Sequence, residues 1–222
     1  MLEKEDPLIR LLKTKPDVLK LLGRVWDILY IEGRGPEVGK RRENFIIQLL
    51  RREFNLQINT PESSVERGWD FSVVIEREER KYSLKTYEEQ QGKPSTIKVA
   101  WNGFPSIEKA RTLRFEHPIL YILRDKTHNQ IFVYLFEVTD LEELKKELGD
   151  NMWWIPRRNT NPRGFGINPK VIPILMQKAK QKGNFIFSTY PPIDINKVVE
   201  DYWGEWYNML KKIAMKDQPR NP

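Results

Sequence analysis

The chain has 222 residues, with 38 Lys and Arg against 31 Asp and Glu, two His and no Cys. A chain of this length hides roughly 70% of its unfolded surface, and 39% hydrophobic with 11% aromatic residues excludes a disordered polypeptide. The missing Cys excludes disulfides, thiol catalysis and Cys-ligated zinc, two His are too few for a His-rich metal site, and the net charge of +7 favours a polyanionic partner, of which nucleic acid is the commonest.

No apolar run approaches the roughly 20 residues of a membrane helix, so no membrane association is expected. The acidic start, Met1-Leu-Glu-Lys-Glu-Asp6, is followed by no apolar stretch, so no secretory signal is expected and a cytoplasmic setting follows. The absence of Cys beside many Lys, Glu and Arg resembles a heat-adapted composition.

In chain order, residues Pro7 to Leu12 read as a short helix, and Pro16 opens a second helix running to Tyr30. Gly33, Gly35, Pro36 and Gly39 break the chain. Lys40 to Phe54 is an amphipathic helix with Ile46, Ile47, Leu49, Leu50 and Phe54 on its apolar face. The period then changes to that of strands. Phe71 to Ile75 and Lys81 to Tyr87 form a hairpin joined by a charged turn, Glu76 to Arg80. Further strands are expected at Ile119–Leu123 and Ile131–Glu137, joined by a turn from Asp125 to Asn129. Thr139 or Asp140 caps a helix through Leu148. Trp153 to Ile155 reads as a strand, Lys170 to Lys182 as a helix stopped by Gly183, Phe185 to Phe187 as a late strand, and Ile195 to Ala214 as the last helix. Trp203, Trp206 and Tyr207 repeat at helical spacing on that helix, which reads as core or a dimer interface rather than a base-stacking platform. The fold class is mixed α/β.

Three residues converge on one chemistry. Asp70 stands at the mouth of a strand, Lys85 lies in the strand paired with it, and Glu43 shares the inward stripe of the preceding helix. A hairpin turning near Arg77 and Glu78 sets Asp70 opposite Lys85, about 5 Å apart at Cβ. Ser83 lies two residues before Lys85 on the same face. A carboxylate there suits Mg²⁺, which prefers oxygen ligands, and an ammonium beside it suits an attacking water or developing negative charge on a phosphate. The bland readings are a cross-strand ion pair for Asp70 and Lys85, a helix-dipole acid for Glu43, and a small strand residue for Ser83. Glu53 is the rival of Glu43 on the same helix.

At these residues the chain resembles the PD-(D/E)XK nucleases, particularly type II restriction endonucleases. That resemblance implies a restriction-endonuclease-like core, a central mixed sheet flanked by helices, over one domain spanning residues 1–222. A helical N-terminal region (1–39), a catalytic core (40–138) and a C-terminal part (139–222) with a DNA-contact loop (156–169) make up that domain. It implies a Mg²⁺-dependent, sequence-specific endonuclease on double-stranded DNA, working as a homodimer in a restriction–modification system. Asp70, Lys85, Glu43 and Ser83 are its expected catalytic residues, and Asp70, Glu43 and the Leu84 main-chain carbonyl its metal ligands. Trp69 stands where the motif has Pro, and Ser83 where it has an acid, so Glu43, Glu88 or Glu89 supplies the missing carboxylate. A structure-directed repair or junction-resolving nuclease and a catalytically silent DNA-binding protein of the same fold are the alternatives.

Two stretches carry side chains suited to DNA. Arg157, Arg158, Asn159, Asn161 and Arg163 match the bidentate grips of Arg on guanine and Asn on adenine. Lys93, Ser95, Thr96, Lys98 and Asn102 follow the Lys85 strand and suit phosphate or minor-groove contacts, with Arg111 and Arg114 as further candidates. Gly33 to Arg41 imitates a phosphate loop, but the Gly spacing is wrong and Arg41 replaces the Ser or Thr that magnesium needs. His128 sits in a turn with no second His at ligand spacing.

Overall fold

The computed structural model describes residues 5–31, 38–61, 68–89, 95–100, 106–156, 164–191 and 194–216. Asp6 begins the first helix, α1 (Pro7–Thr14), by accepting the Leu8 amide at 2.8 Å, with Pro7 pre-set for the first helical position. α2 (Asp17–Ile31) and α3 (Val38–Phe54) follow, and α3 buries Ile46, Ile47, Leu49 and Leu50. The strands are β1 (Ile58–Asn59), β2 (Phe71–Ile75), β3 (Glu78–Glu89), β4 (Ile97–Ala100), β5 (Ile119–Asp125), β6 (Gln130–Phe136), β7 (Trp153–Trp154), β8 (Phe165–Ile167) and β9 (Phe185–Thr189). The remaining helices are α4 (Ile107–Thr112), α5 (Val138–Leu148), α6 (Ile172–Gln181) and α7 (Ile195–Lys216).

The main sheet has six strands in the order β1-β2-β3-β5-β6-β9, and β4-β8-β7 form a second, three-stranded sheet. The β3–β5 pair is parallel and the rest of the main sheet antiparallel, so this is the mixed sheet flanked by helices that was expected. Alternation along the strands builds two cores. Tyr82, Leu84, Leu120 and Ile122 face α1, α2 and α3, whereas Tyr121, Leu123, Tyr134 and Phe136 face α5, α6 and the small sheet.

The β2–β3 turn differs from expectation in a way that moves the site. It is a two-residue turn at Glu76 and Arg77, both left-handed (φ 54° and 71°), the geometry that matches strand twist in a tight hairpin. Phe71 therefore pairs with Tyr82, which places Asp70 level with Ser83 rather than Lys85. β3 is also longer than expected, and the residues taken for a charged turn, 78–80, belong to it. β1, β4, α4 and β8 are short elements the sequence did not announce. At α5, neither Thr139 nor Asp140 is the cap: Glu137 holds that position without a side-chain cap bond, and buried Asp140 pairs with Lys182 at 2.9 Å. Trp203, Trp206 and Tyr207 are not in the core, since 54%, 44% and 64% of their surface is exposed.

Candidate active site

β2 stops at Phe71 while β3 continues to Glu89. Beyond Tyr82, β3 keeps β5 on one side and, among the described residues, pairs with no strand on the other, and Asp70 stands at that edge. Its amide donates to the Tyr82 carbonyl at 2.8 Å, extending the hairpin ladder by one bond. Among the described residues, all of its side-chain contacts fall on Oδ2: the Leu84 amide donates at 2.7 Å, Lys85 Nζ at 3.0 Å and Ser83 Oγ at 3.2 Å. Lys85 reaches it diagonally from two residues along the strand, and its ammonium also donates to the Leu84 carbonyl at 3.1 Å. Asp70 and Lys85 expose about a fifth of their side chains (23% and 21%). An ion pair in so dry a corner is screened less than one on the open surface.

Glu43, in the second turn of α3, approaches the same edge. Burial raises its pKa, and the Asp70 carboxylate raises it further, with Lys85 and Lys40 opposing. Lys40, one turn back, lies 3.6 Å from it. Gly39, Arg42 and Glu43 of α3, Lys85 and Tyr87 of β3, Tyr121 of β5, and Ser95, Thr96 and Lys98 line one cavity of about 260 Å³. The structure thus brings Glu43, Ser83, Lys85 and Asp70 together, and with them Ser95, Thr96 and Lys98 of the expected DNA-contact set. Lys93, Asn102, Arg157, Arg158, Asn159, Asn161 and Arg163 lie outside the described residues. Arg111 is already held in a two-pronged grip by Asp150, at 2.8 and 2.6 Å.

The rival acids are elsewhere. Glu53 is ten residues, about 15 Å, further along α3, where its carbonyl accepts from Lys15. Glu88 faces the opposite layer and binds Arg124 at 2.8 Å. Glu89 shares the Lys85 face but sits six residues, about 20 Å, beyond Ser83, beside a second cavity with Tyr121 and Met176. Of the acids weighed, Glu43 is the one beside Asp70. The sequence reading missed Arg42, Tyr87 and Tyr121 as cavity walls. Tyr87 could have been found, because it follows Lys85 by two on one strand face; Tyr121 needed the parallel register that sets it opposite Lys85.

Arg124 anchors the far side of β3. It is 2% exposed and binds Asp27 of α2, Glu88 of β3 and the Tyr190 hydroxyl, the last at 2.7 Å. The Tyr190 ring is seated on Gly23 of α2, where a Cβ would come within 2.4 Å of it.

No cluster of three or more acids or His able to hold a metal occurs among the described residues. Asp70 and Glu43 lie near enough for one carboxylate to raise the pKa of the other, and the Leu84 carbonyl shares the Lys85 ammonium with Asp70; repulsion between two carboxylates is what a divalent cation relieves. That donor set fits an ion whose other ligands are water and phosphate oxygens.

One solved structure shares the architecture: a protein described as a restriction endonuclease in complex with substrate DNA, with a TM-score of 0.56 and 20% identity over 89% of this chain and 94% of that one. No family model and no curated protein matches the sequence. The likeness fixes the fold as restriction-endonuclease-like.

Proposed function

We propose that the protein is a Mg²⁺-dependent, site-specific endonuclease of type II that hydrolyses both strands of DNA. The observation that carries this reading is the convergence of Lys85 Nζ, Ser83 Oγ and the Leu84 amide on one oxygen of Asp70, beside Glu43, on a restriction-endonuclease-like fold. Asp70, Glu43 and the Leu84 carbonyl would hold the ion, which when bound polarises the phosphate and lowers the pKa of a water. The Lys85 ammonium orients the attacking water and stabilises charge developing on the phosphate. Ser83 and the Leu84 amide hold Asp70 in place, so Ser83 positions the acid rather than replacing it. Ser95, Thr96 and Lys98 suit the DNA backbone, and Arg157, Arg158, Asn159, Asn161 and Arg163 suit base edges. Cutting both strands of a palindrome calls for two copies related by a two-fold axis. A restriction–modification system in a prokaryotic cytoplasm is the setting this implies.

The absence of a three-acid cluster among the described residues favours a second reading, a DNA-binding protein without the chemistry. Incubating the protein with unmethylated plasmid in Mg²⁺ or EDTA separates the two. Discrete fragments with Mg²⁺ alone are expected, and Asp70→Asn and Lys85→Ala should each abolish them while keeping a gel shift. That binding should weaken with salt, at a log–log slope of about −0.9 per neutralised phosphate. Undiminished cleavage by Asp70→Asn would overturn the site, and a gel shift with no cleavage by the unaltered protein would establish the binder.

A further inference from the structure

α7 carries an apolar stripe that its own chain leaves in solvent. Trp203, Trp206, Tyr207 and Leu210 recur at i, i+3, i+4 and i+7, which places them on one face, and each is 44–64% exposed, as is Met209 at 48%. Their exposed area comes to roughly 600 Å². That is at the upper end, about 300–600 Å², of the largest apolar patch on a soluble monomer, where such patches are often functional, and it approaches the about 800 Å² a side of a standard interface. Helix α7 meets α2 of its own chain, and its rings touch one another: Tyr202–Trp203 at 5.3 Å and Trp203–Trp206 at 6.3 Å.

We infer that this face pairs with the same face of a second copy, the two α7 helices running antiparallel about a two-fold axis between Trp206 and Tyr207. The residues beside the stripe choose both partner and direction. Glu200 and Lys211 border one side of it, and Tyr202 and Met209 the other. In an antiparallel pair the same side of each helix meets, because a two-fold axis perpendicular to both helices preserves that side. Glu200 then falls two residues, about 3 Å of helix rise, from Lys211 of the second copy. Tyr202 falls equally close to the second copy's Met209, a favourable sulfur–aromatic contact. Symmetry makes each contact twice. A parallel pairing would set the charged border against the Tyr202–Met209 border and leave Glu200 and Lys211 without each other.

The pairing stands on α7 and not on the nuclease reading, and its test uses neither DNA nor metal, so one can fail without the other. Sedimentation equilibrium of the full chain should show a dimer at micromolar concentration. Trp206→Glu should raise the dissociation constant at least a hundredfold, with unchanged circular dichroism because the side chain is exposed in the protomer. Lys211→Glu alone should weaken the dimer about three- to tenfold, the worth of two exposed ion pairs, and the exchange Glu200→Lys with Lys211→Glu should restore it. A monomer at 100-fold higher concentration, a dimer that survives Trp206→Glu, or an exchange that fails to restore affinity would each overturn the inference.

Discussion

Replacing Arg124 by Met tests whether the far side of β3 is held by charge. Arg124 is 2% exposed and its partners Asp27 and Glu88 keep 11% of their side chains exposed, so deleting the guanidinium strands two nearly dry carboxylates and the Tyr190 hydroxyl. Losing one partner of a buried pair costs about 3–5 kcal/mol. Proton uptake sets a ceiling of about 4 kcal/mol for each of the two carboxyls, the cost of neutralising an acid of ordinary pKa near 4 at pH 7. Arg124→Met should therefore lose about 3–5 kcal/mol in urea denaturation at pH 7. The stranded acids take up protons more readily folded than unfolded, so the folded state binds more protons and the deficit should shrink as pH falls toward 5. Adding Asp27→Leu and Glu88→Met should recover most of the loss, because a well-packed apolar substitute for a buried ion network is often neutral or better. A deficit below about 1 kcal/mol, or one independent of pH, would refute the reasoning.

The β2–β3 turn places Arg77, a residue with a Cβ, at φ 71°; Arg77→Gly should raise stability by about 0.4–1 kcal/mol, read as a shifted urea midpoint with an unchanged slope. Glu137 is raised in pKa, first by burial and then by the Asp6 carboxylate, and accepts from Asn184 at 3.1 Å. An acid whose folded pKa lies above its unfolded value binds more protons folded, so stability falls as pH rises from 4.5 through the folded value. Glu137→Gln should flatten that decline in thermal melts taken across pH 4 to 8, and an unaltered profile would show that another group controls it.

The side chains of the candidate site were legible in the sequence, and their spacing was not. Asp70, Lys85, Ser83 and Glu43 announce themselves because a carboxylate and an ammonium on neighbouring strands, with an acid on an apolar helix stripe, are poorly explained as core. The register was hidden because Glu76 and Arg77 adopt left-handed conformations that Asn-Gly would advertise and they do not. The small sheet was equally silent. Its strands are two to four residues long, and β8 approaches β4 at Gly166, where a Cβ would stand 2.5 Å from the Ile97 carbonyl. Nothing in the sequence singles out Arg124, since its partners Asp27 and Tyr190 are 97 and 66 residues away. On α7 the period revealed an apolar face but could not say whether its own chain would cover it.

The two-residue turn at Glu76 and Arg77 has a consequence for how such a chain can drift. Because the side-chain period of a strand is two, one inserted or deleted residue there would bring Asp70 level with Tyr82 or Leu84, both buried in the other layer. Substitutions in the turn tune stability; a change in its length breaks the alignment of acid and ammonium without touching either. Loop length at a solvent-exposed hairpin tip, six residues from the nearest candidate catalytic side chain, therefore constrains the geometry of the site as tightly as the identity of Asp70 does.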